Sequence, residues 1–450
     1  MKETIKNNNL EISLDSSLSL GQKRPQLEGV AGGCIIFLCQ NLTGHLNPTI
    51  GFAKKYLAEG NKVYYGSTPD TLAFTQKNGF KLHPMNSMPF ATGVDSLIHE
   101  SSKNSWLESL IDRFTDKYYK IRKKDLEEML EEINPDIIFL DEFNYSDFII
   151  LYPHLQNRQV IYLQTKFPMY FSDTVPPLNT FALPTENVKW LWQKHRIRQN
   201  WNRGIQYLKY FGKSDLAILR EKHKANSIPE IHKIIANKCF RPAIANIEEW
   251  FLVPKALDFP EQKLLPWQQY VEPIIDLERK EELPGNYLQF LTKKEADENN
   301  KLIYCSLGTA LEAHLRHNKK VNIEHFYQKI IDIATENPNL HIVLKLEKKY
   351  LDKIKAKVDN LLLMDYAPQL DILKNCDLFM THAGMGSIVE AIQFEVPMLL
   401  FPINILYDQY GNAARVEFKN FGKKVSLENT KNEILQKIFS NLKPTAFIVQ

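Results

Sequence analysis

The chain has 450 residues, more than one hydrophobic core usually organises, so two domains are expected. Its 56 Lys and Arg against 53 Asp and Glu leave a formal charge of +3, which excludes a broad basic footprint for nucleic acid. The cysteines, Cys34, Cys39, Cys239, Cys305 and Cys376, form no C-x-x-C pair and sit mostly in apolar stretches; a disulfide scaffold is excluded, and small core residues in a reducing cytoplasm are expected.

Residues 1–31 are polar, lack the apolar region of a signal peptide and are expected to form a disordered tail. No apolar run reaches membrane-spanning length. The first ordered element is predicted as a strand over 34–39, a continuous apolar run suited to a parallel sheet buried on both faces. A loop over 40–45 follows, then Asn47-Pro48 opening a helix with Ile50, Ala53 and Leu57 on its apolar positions, and a strand over 62–66. Further strands are predicted at 136–140, 160–163 and 250–253, completing a first Rossmann-like domain over 32–275. Within it, residues 189–213 combine Trp190, Trp192 and Trp201 with Arg196, Arg198, Arg203, Lys209 and Lys213. This segment fits either a surface helix whose Trp side chains pack on their own domain, or an interfacial helix in peripheral contact with anionic lipid or an apolar acceptor.

From 276 to 300 the apolar signal thins and charge rises, which predicts a linker. The pattern then restarts in a second domain over 301–450, with strands at 302–307, 342–346, 361–364, 378–380 and 398–401. The fold class is therefore α/β: two doubly wound Rossmann-like domains facing across a cleft, with ligands where their strand ends meet.

Three motifs carry the chemistry. His45, in Gly44-His45-Leu46-Asn47-Pro48, follows the first strand, where a βα loop presents side chains to the crevice; a neutral imidazole there can accept a proton near neutral pH. Ser306-Leu307-Gly308-Thr309 is a strand running into a glycine turn. Thr381-His382-Ala383-Gly384-Met385-Gly386-Ser387 lies between a strand and a helix, an arrangement that favours a phosphate at the helix N-terminus, although Ser387-x-x-Glu390 alone also fits a capping box. A nicotinamide enzyme is disfavoured, because the first loop holds Gly44 alone and not G-x-G-x-x-G.

The stretch 365–415 closely resembles the donor-binding signature of the UDP-glycosyltransferase superfamily (GT-B fold), in the bacterial branch of macrolide and carotenoid glycosyltransferases. Ala367-Pro368-Gln369, His382-x-Gly384, Ser387, Glu390, Pro397, Pro402, Asp408-Gln409 and Asn412-Ala413 all fall at its spacing. The resemblance implies that Tyr366 stacks on uracil beside Ala367, and that Gln369 holds the base edge. His382, Gly384, Met385, Gly386 and Ser387 would take the diphosphate, with Ser306, Gly308 and Thr309 reaching the β-phosphate or sugar. Glu390 would bind the ribose, and Asp408 with Gln409 the sugar hydroxyls.

By the same resemblance His45 is the catalytic base, oriented by an Asp about a hundred residues on. Asp141, at the end of an Ile-Ile-Phe-Leu strand, fits, with Glu142 and Asp147 as nearby rivals. Where the family often has Trp the chain has Tyr366, and Asp408 also suits a helix N-cap. The implied activity is inverting, metal-independent transfer of a hexose, with glucose favoured by Gln409, from a UDP-sugar to a hydroxyl of a lipophilic acceptor bound by apolar parts of the first domain such as 167–183. No metal or resident cofactor is expected, and no Asp-x-Asp pair occurs in the sequence. A cytoplasmic protein is expected, in possible peripheral contact with the inner face of the membrane through 189–213. The alternative is a nucleotide-sugar-binding protein or catalytically weak relative, because the family's C-terminal crossover helix is expected to be missing after the stretch 434–442.

Overall fold

A computed structural model describes residues 32–427, apart from breaks at 272–275, 277–278, 280, 310, 317, 319–320, 355 and 357. The expected N-terminal tail and the C-terminal stretch after 427 lie outside the described residues.

The first sheet holds seven parallel strands: β1 (Cys34–Leu38), β2 (Lys62–Ser67), β3 (Lys81–Pro84), β4 (Ile137–Asp141), β5 (Gln159–Gln164), β8 (Glu249–Phe251) and β9 (Gln268–Tyr270). The short hairpin β6 (Ile234–Ile235) with β7 (Ala243–Ile244) lies apart from it. The strand order is β3-β2-β1-β4-β5-β8-β9, so the direction in which strands are added across the sheet reverses between β1 and β4. β1 is in register with both neighbours, Leu38 facing Gly66 on one side and Leu140 on the other. Ile35, Ile36, Phe37 and Leu38 are all fully buried, as expected when helices cover both faces of a parallel sheet.

The second sheet repeats the plan with β10 (Lys301–Ser306), β11 (Leu340–Lys345), β12 (Leu361–Met364), β13 (Leu378–Thr381), β14 (Met398–Leu400) and β15 (Gly422–Lys424), in the order β12-β11-β10-β13-β14-β15, again all parallel. Its reversal falls between β10 and β13. In open α/β sheets, ligands bind beyond the carboxyl ends of strands at such a reversal. Three of the four chain exits at these points carry the sequence motifs, and the fourth, after β4, carries Asp141.

Two differences from the sequence reading bear on the site. The first helix begins at Thr43, upstream of Pro48, and runs to Ala58. Its first turn closes on the Leu42 carbonyl, which accepts from the His45 and Leu46 amides at 2.8 and 2.9 Å, so His45 sits in a helix and not in a loop. Pro48 lies inside that helix, where it forgoes one backbone bond. The segment 276–300 contains an 11-residue helix, Gly285–Glu295, whose Tyr287 and Phe290 are buried in one core with Leu302 and Tyr304 of the second domain. Arg279, Glu281 and Glu282, which gave the segment much of its charge, precede this helix.

That same core continues into the first domain through Phe167, Leu178, Val188, Trp192, Phe251 and Val253. Much of 167–183, expected to line an acceptor pocket, is thus interdomain packing, with Phe167, Met169, Val175 and Leu178 buried. Arg415, on the helix Gln409–Phe418, donates from Nε to Asp258 Oδ1 at 2.6 Å, and its guanidinium lies over the rings of Phe167 and Phe259. One turn earlier, a Cβ added to Gly411 would come within 2.2 Å of the Leu178 carbonyl oxygen. Only glycine permits so close an approach.

Candidate active site in the cleft

At the reversal point of the first sheet, β4 ends on Asp141, whose Oδ1 lies 2.9 Å from His45 Nδ1. Both residues are buried, 9% and 2% exposed, and the Gln40 amide donates to the other carboxylate oxygen. With Nδ1–H donating to Asp141, the His45 Nε2 keeps its lone pair for a proton. Phe143 lies edge-on to the imidazole, with ring centroids 4.8 Å apart, and restricts its rotation.

The rivals are engaged elsewhere. Asp147 accepts from Arg122 and Asn144. Glu142 pairs with the buried Lys166. Burial alone would raise the Glu142 carboxyl, but Lys166, and then His45, bring it down to about 2. Burial lowers Lys166, but Glu142 and then Asp408 of the second domain outweigh it, so Lys166 stays charged.

At the reversal point of the second sheet, Gly308 after β10 and His382 after β13 stand against each other. A Cβ on Gly308 would meet the His382 ring at 2.5 Å, and Gly308 adopts φ +86°. Ala383 takes φ +68°, an uncommon conformation for a residue with a side chain. The turn is held by Asn412, whose Nδ2 donates to the Ala383 carbonyl at 3.0 Å and to Asp408 Oδ2 at 2.7 Å. The helix Met385–Gln393 starts there with Gly384 as its N-cap and no side-chain cap, so Ser387 lies inside the helix and forms no capping box. Burial, then the charges of His314 and Lys345, push the His382 imidazole down to about 3; it is neutral. Thr381 Oγ1 and His382 Nδ1 are buried without a hydrogen-bond partner.

Lys345, at the end of β11, reaches the Gly308 carbonyl from the side, 3.4 Å away. Neither Lys345 nor Lys166 belongs to the motifs that carry the chemistry in the sequence. A signal was there: each is a lysine just where an apolar strand ends, and lysine is seldom placed in such surroundings without a partner or a task.

The remaining predicted residues fall around this centre with some reassigned contacts. Ser306 is buried at the end of β10, Thr309 is exposed, Met385 is buried and Gly386 faces open space. Tyr366 is half exposed beside Ala367, its hydroxyl accepting from the Glu282 amide. Gln369 donates to Glu390 at 2.7 Å and lies 3.4 Å from Ser387 Oγ. Glu390 is also gripped by Arg279, with contacts of 2.5 and 3.2 Å. Asp408 occupies the N-cap position of its helix but makes no capping bond; burial raises its carboxyl and Lys166 opposes that. Gln409 is 2% exposed, and its Oε1 accepts from the backbones of Ile403 and Asn404, so its carbonyl shapes the preceding loop.

The helices that carry the two centres, Thr43–Ala58 and Met385–Gln393, are in contact across the cleft. Residues 310–445 match the family described as Glycosyltransferase family 28 C-terminal domain. The second domain is thus similar to a glycosyltransferase C-terminal domain. The chain is 31% identical over 138 residues to the uncharacterized UDP-glucosyltransferase YdhE of Bacillus subtilis, covering 31% of this chain and 32% of that one. It is 26% identical over 326 residues to human UDP-glucuronosyltransferase 3A2, covering 70% and 57%. With the oleandomycin glycosyltransferase of Streptomyces antibioticus it shares 29% over 137 residues, 30% of this chain and 29% of that protein. The chain therefore spans less than two thirds of the length of these relatives. Among solved structures, the kitacinnamycin glycosyltransferase superposes with a TM-score of 0.66 at 18% identity over 92% of each chain. VinC, solved with dTDP, gives 0.58 at 15% over 92% of each. The fold is GT-B, as the superfamily resemblance of residues 365–415 implied.

Proposed function

We propose that the protein transfers a hexose from a UDP-sugar to a hydroxyl of a lipophilic small molecule, with inversion at the anomeric carbon. The observation that carries this reading is the His45–Asp141 contact at one reversal point, set across the cleft from a glycine-flanked helix start at the other. His45 Nε2 takes the acceptor proton as the oxygen attacks the sugar C1 from the side opposite UDP, and Asp141 stabilises the imidazolium that forms. The bond from C1 to the diphosphate oxygen breaks, and the leaving charge settles on the amides at Gly384 and Met385, with Lys345 beside them. His382 donates as a neutral group, so the positive charge facing the phosphates comes from the helix dipole and Lys345. Tyr366 offers its exposed ring to uracil, and Glu390 exchanges Arg279 for ribose hydroxyls.

Support for a nucleotide-sugar donor comes from the family matched by the second domain and from a structural neighbour solved with dTDP. The test is a screen of UDP-glucose, then other UDP-sugars, against phenols, macrolides and carotenoid alcohols, read by product mass. His45→Ala is expected to lower turnover by about 10²–10⁴-fold while leaving UDP affinity within a factor of a few. Failure of UDP to bind at roughly millimolar concentration overturns the donor assignment.

A further inference from the structure

The helix Val188–Lys209 is 22 residues long, about 33 Å at 1.5 Å per residue, yet only Val188 and Trp192 on it are buried. The expectation that its Trp side chains pack on their own domain holds for Trp192 alone; Trp190 and Trp201 are 52% and 71% exposed. At 3.6 residues per turn, Trp190, Lys194, Ile197, Trp201, Ile205 and Leu208 lie within an arc of about 80°, opposite the face that meets the domain. Ile197, Ile205 and Leu208 in that stripe are also exposed. The stripe continues onto a neighbouring helix, Ser105–Phe114, whose Trp106 donates to the Lys209 carbonyl and stands near the Phe211 ring. Leu107, Ile111 and Phe114, at helical spacing on that helix, are exposed as well. A soluble monomer seldom presents so extended an apolar surface without a use for it.

The charge around this stripe indicates what covers it. From 188 to 213 there is no Asp or Glu, against Lys189, Lys194, Arg196, Arg198, Arg203, Lys209 and Lys213. Arg198 and Lys209 flank one edge of the stripe and Lys189 and Arg196 the other, and the Lys194 ammonium lies over the Trp190 ring. Lys213 pairs with Glu221, whereas Lys189, Lys194, Arg196, Arg198 and Lys209 have no carboxylate partner among the described residues. A twofold contact with a second copy would set these cations against themselves, because such an interface meets the same patch on its partner. A surface that is apolar in depth and anionic at its rim has no such conflict.

We propose that this face docks on a membrane of anionic lipid, with Trp190, Trp201 and Leu208 entering the headgroup boundary and the flanking Lys and Arg meeting lipid phosphates. The proposal is independent of the transfer reaction.

The test is co-sedimentation of the full chain with vesicles of equal parts phosphatidylglycerol and phosphatidylcholine, and with phosphatidylcholine alone. Wild type is expected to bind the anionic vesicles at least about tenfold more tightly, and to lose that preference as salt shortens the Debye length. The variant R196Q/R198Q/K209Q is expected to lose about a hundredfold on anionic vesicles, given about a fivefold loss per charge. W201E/L208E is expected to lose a similar amount, with its melting temperature unchanged because both positions are exposed. No binding to anionic vesicles at low salt, or equal binding to both kinds, overturns the proposal. So does a photo-crosslinker at position 201 that captures protein rather than lipid when vesicles are present.

Discussion

His382 shows how burial keeps a single side chain uncharged. Its imidazole titrates near 3 in the folded protein against about 6.5 unfolded, because burial outweighs any gain from ionising. Between those values the unfolded chain takes up a proton that the folded chain does not, so this residue makes stability fall as pH drops from about 6.5 toward 3. Its share of the slope reaches at most about 1.4 kcal/mol per pH unit, and His382→Asn is expected to remove it, measured as the wild-type-minus-variant difference in urea unfolding at several pH values. Gly308→Ala forces both a strained backbone and a clash with the His382 ring; a loss of about 1–3 kcal/mol of stability and of most UDP affinity is expected by calorimetry. Among single residues, His45, Asp141 and His382 were legible because each stands beside a strand end and within a recognisable spacing. Lys166, Lys345 and Arg279 were not. Their tasks depend on which strand or segment becomes a neighbour, and that is a tertiary fact.

The apolar strands of both sheets were legible because burial on two faces demands unbroken runs such as Cys-Ile-Ile-Phe-Leu. In the two large sheets the strands that escaped notice, β3, β9 and β15, lie at the edges and read Lys-Leu-His-Pro, Gln-Gln-Tyr and Gly-Lys-Lys. An edge strand needs polarity to resist pairing with other chains, and that erases the signal by which a strand is recognised. Helix starts were harder still, since Pro48 pointed to a helix opening later than Thr43. The helix Gln409–Phe418 has a structural task that its sequence did not announce. Through Asn412 it holds the left-handed turn at Ala383, and through Gln409 it fixes the loop before it. Asn412→Ala leaves the Ala383 carbonyl and Asp408 without that donor, so UDP-sugar affinity is expected to fall roughly tenfold and stability by about 1–3 kcal/mol. Isothermal titration together with thermal unfolding checks both, and an unchanged affinity would remove Asn412 from the support of the site.

Across the whole molecule, the two sheets follow one winding plan, and their reversal points meet because the halves share a core and the Arg415–Asp258 pair. Arg415→Leu is expected to destabilise the protein by about 3–5 kcal/mol, since it strands a buried carboxylate, and to split the unfolding transition in two if the halves then melt separately. That the halves exist was legible from the restart of the strand pattern near 301; how they are clamped was not, because Asp258 and Arg415 lie 157 positions apart and belong to no local pattern. The glycine at 411 has a consequence for inheritance by recombination. A donor half borrowed from another lineage arrives with its own residue at that place, and any side chain there collides with the carbonyl of Leu178. Hybrids of this protein should therefore survive only when the incoming half brings both that glycine and the arginine one turn beyond it, whatever sugar preference travels with them.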